Sequence, residues 1–207
     1  METILIYISL LGSLTFAISG ALKAINKNFD PFGVLIIGFI TAVGGGTIRD
    51  MLLTDKTVFW LNESTHLYVI LGGVILAIIF RNKLNKFNKH LLFFDAVGLG
   101  LFTITGVQIG LENDLHFLNC IILGTITGSF GGVLRDVLVN ETPVIFKKEI
   151  YATISIVGGA IYLLLLKLEV QNPILQIVPI ALIIIARLLI LRFNISLPQI
   201  KNNIGPP

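Results

Sequence analysis

Apolar residues run along the chain in long unbroken stretches rather than at the spacing of a half-buried helix or strand. Seven stretches stand out: Ile4–Ile25, Phe32–Leu53, Ser64–Phe80, His90–Gly110, Phe117–Val139, Glu149–Leu166 and Ile174–Phe193. Each approaches the ~20 residues that a helix needs to cross a bilayer. The pattern predicts an all-α membrane protein with seven transmembrane helices. Seven spans use roughly 140 residues of the 207 present, which leaves short connections and tails but no soluble domain. The first stretch lacks the positive start of a signal peptide, since Glu2 is the only charge ahead of it, and no small-residue cleavage site follows. It reads as a retained helix.

Charge sharpens this picture. Only 13% of residues are charged, against about 25% in soluble proteins, and most of them sit between the stretches. Lys23 and Lys27, then Arg81, Lys83, Lys86 and Lys89, then Lys147 and Lys148, and finally Arg192 and Lys201 all fall on alternate connections. The other connections hold only Lys56 and Lys167. Lys and Arg gather on the cytoplasmic side, so the N-terminus is expected outside and the C-terminus in the cytoplasm of a bacterial inner membrane. The pI of 9.1 then reflects orientation, and no nucleic-acid partner is expected. Cys120 is the only cysteine, and His66, His90 and His116 have no metal-site spacing. No nucleophile, zinc or phosphate-loop motif appears, so neither an enzyme, a metal nor a cofactor is expected.

Sliding the chain along itself by 86 residues reveals a repeat. Gly12 falls on Gly98, Phe16 on Phe102, Gly20 on Gly106, Thr41 on Thr127, Gly45-Gly46 on Gly131-Gly132, Arg49-Asp50 on Arg135-Asp136, and Gly72-Gly73 on Gly158-Gly159. Residues 4–80 and 90–166 are expected to be two three-helix repeats, with 174–193 as a seventh helix outside them. Three is odd, so the second copy enters the membrane upside-down, and such repeats place a permeation site at their interface. The seventh helix reads as lipid-facing or oligomer-packing.

The candidate chemistry lies on the second and fifth spans. Gly44, Gly45 and Gly46, and then Gly131 and Gly132, each cost roughly 1 kcal/mol relative to Ala in a helix interior. They invite a break whose freed carbonyls and amides face a cavity, although glycine also serves close helix packing. Arg49 and Arg135 follow, and a charge at the bilayer centre costs at least ~2.5–3.5 kcal/mol unless it is paired or hydrated. Neighbours on a helix point ~100° apart, so cross-pairing is expected: Arg49 with Asp136 and Arg135 with Asp50. Asp95, whose repeat counterpart is Ser9, is expected to attract a cation, to pair with Arg187, or to sit as an interfacial carboxylate at a helix N-terminus. Ser13, Ser19, Thr41, Thr103, Thr105, Thr127 and Ser129 are candidate linings of a narrow passage, though singly such residues more often pack helices.

Phe16-Ala-Ile-Ser-Gly20-Ala-Leu, Asp30-Pro-Phe-Gly33, Thr41-Ala-Val-Gly-Gly-Gly-Thr-Ile-Arg-Asp50, Val58-Phe-Trp60 and Tyr151-Ala152 resemble a bacterial membrane family with a duplicated domain. That family is sometimes described as glycine transporters and is related to the trimeric intracellular cation (TRIC) channels. The resemblance covers roughly Ile4 to Leu166. It implies a homotrimer with one ion pathway in each protomer, helices two and five kinked at their glycines beside the pore, and conduction of monovalent cations. Potassium is the chief ion and sodium a second candidate. Phe130 stands where a third glycine is expected and is expected to plug or gate its half of the passage. The rival expectation is a secondary transporter of glycine or another small amino acid, with amides at a broken helix binding the carboxylate. A non-conducting scaffold is the third.

Overall fold

The computed structural model describes residues 2–54, 56–81, 88–146, 150–193 and 195. Eight α-helices occupy them: α1 (Glu2–Asn26), α2 (Pro31–Met51), α3 (Phe59–Asn62), α4 (Thr65–Ile79), α5 (Asn88–Glu112), α6 (Phe117–Leu138), α7 (Ala152–Lys167) and α8 (Ile174–Phe193). A 3₁₀ turn at Val144–Phe146 follows α6. Each expected span carries a helix, and the chain is an all-helical membrane protein. Five helices (α1, α2, α5, α6 and α8) are long and apolar enough to cross a membrane. The other two, α4 and α7, are apolar but span only about 22–24 Å at 1.5 Å per residue. The segments before them hold α3 and the 3₁₀ turn, which the apolar pattern did not predict.

Local chemistry sets the helix ends. Asp30 caps α2 by accepting from the Gly33 amide at 2.7 Å, with Pro31 at the first helical position, where its missing N–H costs nothing. Asn28 and Asp114, 86 residues apart, adopt left-handed backbone just after α1 and α5. Phe29 N and Leu115 N donate back to Ala24 O and Gly110 O in the same way. Such caps satisfy the last carbonyls of a helix.

Helices α1, α2, α5 and α6 form the centre; α4 covers α1 and α2, while α7 covers α5 and α6. At the middle, Phe16 and Phe102 pack with ring centroids 5.3 Å apart. The eighth helix lies on α5 and α7 and has no counterpart on the other half. It is not simply a lipid-facing helix, because Leu175, Gln176, Pro179, Ile180, Ile183 and Arg187 are buried on one face.

The alternate connections meet at one end. Glu141, after α6, pairs with Lys23 at 2.7 Å and Lys27 at 2.8 Å. One groove sets Arg81 beside Ile25 and Phe29, another sets Lys23 beside Leu92, and a third sets Leu92 beside Arg192. Lys83, Lys86, Lys147, Lys148 and Lys201, as well as Glu149 at the start of the expected sixth span, lie outside the described residues. Because Lys27 precedes α2 and Glu141 follows α6, these two helices run in opposite directions from this basic end.

Candidate functional site

The second and sixth helices cross at their glycines. A Cβ built on Gly45 would overlap the carbonyl oxygen of Thr127, and one on Gly131 would overlap that of Thr41. The contact is reciprocal, since both pairs are 86 residues apart. Helix α2 runs without interruption through Gly44, Gly45 and Gly46, and α6 through Gly131 and Gly132. The expected breaks are therefore absent. The missing side chains are used to let two backbones touch, and that packing offsets the poor helix propensity of glycine. Phe130 is half-buried, and the side chain nearest Gly44, its repeat counterpart, is Leu134.

Arg49 and Arg135 each lie in the last turn of a helix, where the helix dipole favours a cation. Each turns back onto its own neighbour: Arg49 Nε donates to Asp50 Oδ1 at 2.7 Å, and Arg135 Nε to Asp136 Oδ1 at 3.0 Å. This overturns the expected cross-pairing. Helices α2 and α6 point opposite ways, so Arg49 stands about 27 Å along α2 from its basic-end start (18 residues at 1.5 Å). Asp136 lies close to the basic end, and the two charged pairs occupy opposite ends of the crossing.

At the basic end Arg135 is a node. Nη1 donates to Asp95 Oδ1 at 2.6 Å and to Ser19 Oγ at 2.8 Å. One guanidinium thereby ties α6 to α5 and α1, and all its partners are buried. Asp95 pairs with Arg135, and at 1% exposed it is no interfacial carboxylate. The second carboxylate oxygen of Asp136 accepts from Val144 N at 3.2 Å, which anchors the 3₁₀ turn. Gly132 opens onto this cluster, with Tyr151 Oη, Asp95 Oδ1 and Arg135 Nη2 all within 3.6 Å of where its Cβ would stand. Arg187 of α8 lies over the Tyr151 ring at 4.8 Å.

The opposite end is built differently. Asp50 accepts from Arg49 with one oxygen and from Phe59 N with the other, at 2.8 Å, which fixes the start of α3. The Phe59 ring lies against Gly46, under the Arg49 guanidinium at 5.4 Å, and edge-on to His66. Trp60 Nε1 donates to Thr47 Oγ1 at 3.0 Å, so α3 lies as a cap over the end of α2. Ser9 is the repeat counterpart of Asp95. Aromatic packing does at this end what a second carboxylate does at the other.

All seven candidate lining residues are buried. Thr41, Thr105, Thr127 and Ser129 bond to carbonyls of their own helices. Ser13 pairs with His66 Nδ1 at 2.9 Å, and Ser19 with Arg135. The Thr103 hydroxyl faces Gly128. Sequence reasoning missed Tyr151, His66 and the α3 cap. Tyr151 and Trp60 stood inside recognisable motifs, but nothing local said what they would touch. Among the described residues no group of His, Cys, Asp and Glu could hold a metal ion.

A family model described as "Glycine transporter" matches the chain twice, over residues 6–82 and 92–167. The chain is 39% identical over 198 residues to the UPF0126 inner membrane protein YadS of Escherichia coli K12, covering 93% of this chain and 94% of that protein. The chain belongs to this family. Another member, a UPF0126 membrane protein of Vibrio cholerae, is 36% identical over 96% of this chain and 84% of its own length. Among solved structures the family member is similar to a TRIC trimeric intracellular cation channel orthologue from Rhodobacter sphaeroides. That match has a TM-score of 0.88 and 34% identity, covering 93% of this chain and 100% of that one. A prokaryotic TRIC channel in 0.5 M KCl matches with a TM-score of 0.87 and 34% identity, over 95% and 100%. The relatives are membrane proteins and channels, and none of these is named as an enzyme.

Proposed function

We propose that the chain is a cation channel of the bacterial inner membrane, passing monovalent cations, potassium chiefly, through a pathway in each protomer of a homotrimer. The observation that carries this reading is the likeness, over 93% of the chain, to a TRIC cation channel orthologue at 34% identity. The pathway runs beside the α2–α6 crossing, between the Arg49–Asp50 and Arg135–Asp136 ends. At the basic end two carboxylates, Asp95 and Asp136, face the Arg135 guanidinium and offset the positive charge of Arg135 and of nearby Arg187. Arg135, bound at once to α1, α5 and α6, is the latch of the closed state. Opening requires it to leave Asp95 and Ser19.

The same proposal takes residues 4–80 and 90–166 as inverted copies. Two matches of one family model and the opposed directions of α2 and α6 support this. The basic end faces the cytoplasm, as the excess of Lys and Arg there favours, which puts the N-terminus outside. Exposed apolar side chains such as Tyr7, Leu11, Tyr68 and Ile75 meet lipid or a neighbouring protomer.

Planar-bilayer recording of the purified protein tests the reading. Discrete current steps whose reversal potential follows a potassium gradient are expected. The second reading, a secondary transporter of glycine, is favoured by the description of the matching family model. Saturable, ion-coupled glycine uptake into proteoliposomes without current steps would overturn the channel and establish that rival.

A further inference from the structure

The seam between α5, α7 and α8 carries polarity that the pathway does not use. Gln176 of α8 is fully buried, and among the described residues no hydrogen-bond partner reaches either heteroatom of its carboxamide. The same holds for Oε1 of Gln108 on α5 and for Oγ of Ser155 on α7. The Tyr162 hydroxyl of α7 lies beside the Gln108 carboxamide. Pro179 sits inside α8 and has no N–H, so the Leu175 carbonyl loses its helical donor in the same turn.

Gln108, Tyr162 and Gln176 share one depth. Gly100 meets α8 at Ile180 and Ile184, and Gly158 meets it at Pro179 and Ile183. Both α5 and α7 run opposite to α8, so counting ~1.5 Å per residue from these contacts brings Gln108, Tyr162 and Gln176 to within about one helical turn of each other. Val107, Tyr162 and Leu175 belong to one buried cluster.

The fold does not demand polar groups at these sites. At the offset of 86, Gln108 falls on Leu22, Ser155 on Val69 and Tyr162 on Leu76, so the first half fills the related positions with apolar side chains. The polar versions occur only in the half that α8 covers, and α8 adds a buried polar residue of its own. Unmatched carboxamide atoms in an apolar interior are costly, and their chemistry names the guest. The set holds no charge of its own, the nearest carboxylate being that of Glu112 at the exposed end of α5; it offers both donors and acceptors and is enclosed by Val107, Leu175 and Ile180. It fits neither an ion nor a bulky solute. A small molecule that both donates and accepts and binds two to four polar groups is water.

We propose that the α5–α7–α8 seam binds an internal cluster of water held by Gln108, Tyr162 and Gln176, a wet joint between α8 and the second half that is separate from the cation pathway. Radiolytic hydroxyl labelling of the full-length protein, which generates radicals from bound water in place, tests this together with the melting temperature of Gln176→Leu. A wet seam predicts oxidation of Tyr162 and Leu175 several-fold faster than that of Ile70 and Val74, which are buried in the apolar cluster of the first half away from the crossing. It also predicts a lowered melting temperature for Gln176→Leu and slower Tyr162 oxidation in Gln108→Leu. Oxidation of Tyr162 and Leu175 at the Ile70 rate would overturn the proposal. So would a raised melting temperature in Gln176→Leu, which is what a dry seam relieved of two unmatched atoms would show. If neither variant folds, labelling of the unaltered protein decides alone.

Discussion

Replacing Asp95 by Asn keeps the size and shape of the side chain and removes one charge from a pair in which each side chain is 2% exposed. Arg135 is not stranded by the change, because Asp136 at 3.0 Å and Ser19 at 2.8 Å remain. The amide oxygen of Asn still accepts from Arg135, so what disappears is the charge assistance of one 2.6 Å hydrogen bond, worth about 1–1.5 kcal/mol as the difference between bonds to charged and to neutral groups. That is less than the ~3–5 kcal/mol of stripping a buried ion of its partner. In the latch mechanism this cost falls on the closed state alone. Since about 1.4 kcal/mol is tenfold in an equilibrium, the open-to-closed ratio of Asp95→Asn rises roughly fivefold to tenfold. Open probability in planar bilayers with symmetrical potassium chloride measures that ratio, and thermal melting of the same preparation reports stability. An unchanged open probability alongside a lowered melting temperature would mean that the pair persists in the open and closed states alike. The latch would then be wrong.

Three further outcomes are expected. Gly45→Ala puts a methyl group onto the Thr127 carbonyl and forces α2 from α6, a loss of about 1–3 kcal/mol; Gly72→Ala meets nothing within 4 Å and gains up to ~1 kcal/mol of helix propensity, so the two melting temperatures move in opposite directions. Asp50→Ala removes the carboxylate that both pairs Arg49 and anchors α3, so it costs about 3–5 kcal/mol and lowers the melting temperature more than Asp95→Asn does. Hydrogen bonds from Lys23 and then Lys27 pull the Glu141 carboxyl from 4.5 down to about 2. The unfolded chain therefore binds this proton first as pH falls, so the stabilisation is complete above about pH 4.5 and is lost towards pH 2. The melting-temperature gap between the unaltered protein and Glu141→Gln should be flat above that window and close within it.

The duplicated Gly-Gly and Arg-Asp motifs, read from spacing alone, led to one helix crossing but with the wrong geometry. Arg49-Asp50 and Arg135-Asp136 do mark the two ends of one helix crossing. Because α2 and α6 run in opposite directions from the basic end, these two ends lie far apart and the cross-pairs do not form. The glycines were read as breaks because propensity is a local quantity. Whether a neighbouring backbone comes close enough to repay a poor helix former is not, and at Gly45 and Gly131 it does.

By itself the sequence determined where the long helices form, that most are apolar enough to enter a membrane, and which connections carry the basic residues. These follow from the length of apolar runs and from capping residues, all of which act within a few positions along the chain. Only the tertiary structure decided the pairings. Arg135 meets Asp95 across 40 residues and Ser19 across 116, and Lys23 meets Glu141 across 118. It also decided that α8 turns a polar face inward and that α3 folds back over Arg49. A buried charge accepts whichever partner the packing brings within about 3 Å, and that choice is made only when helices distant in the chain come together.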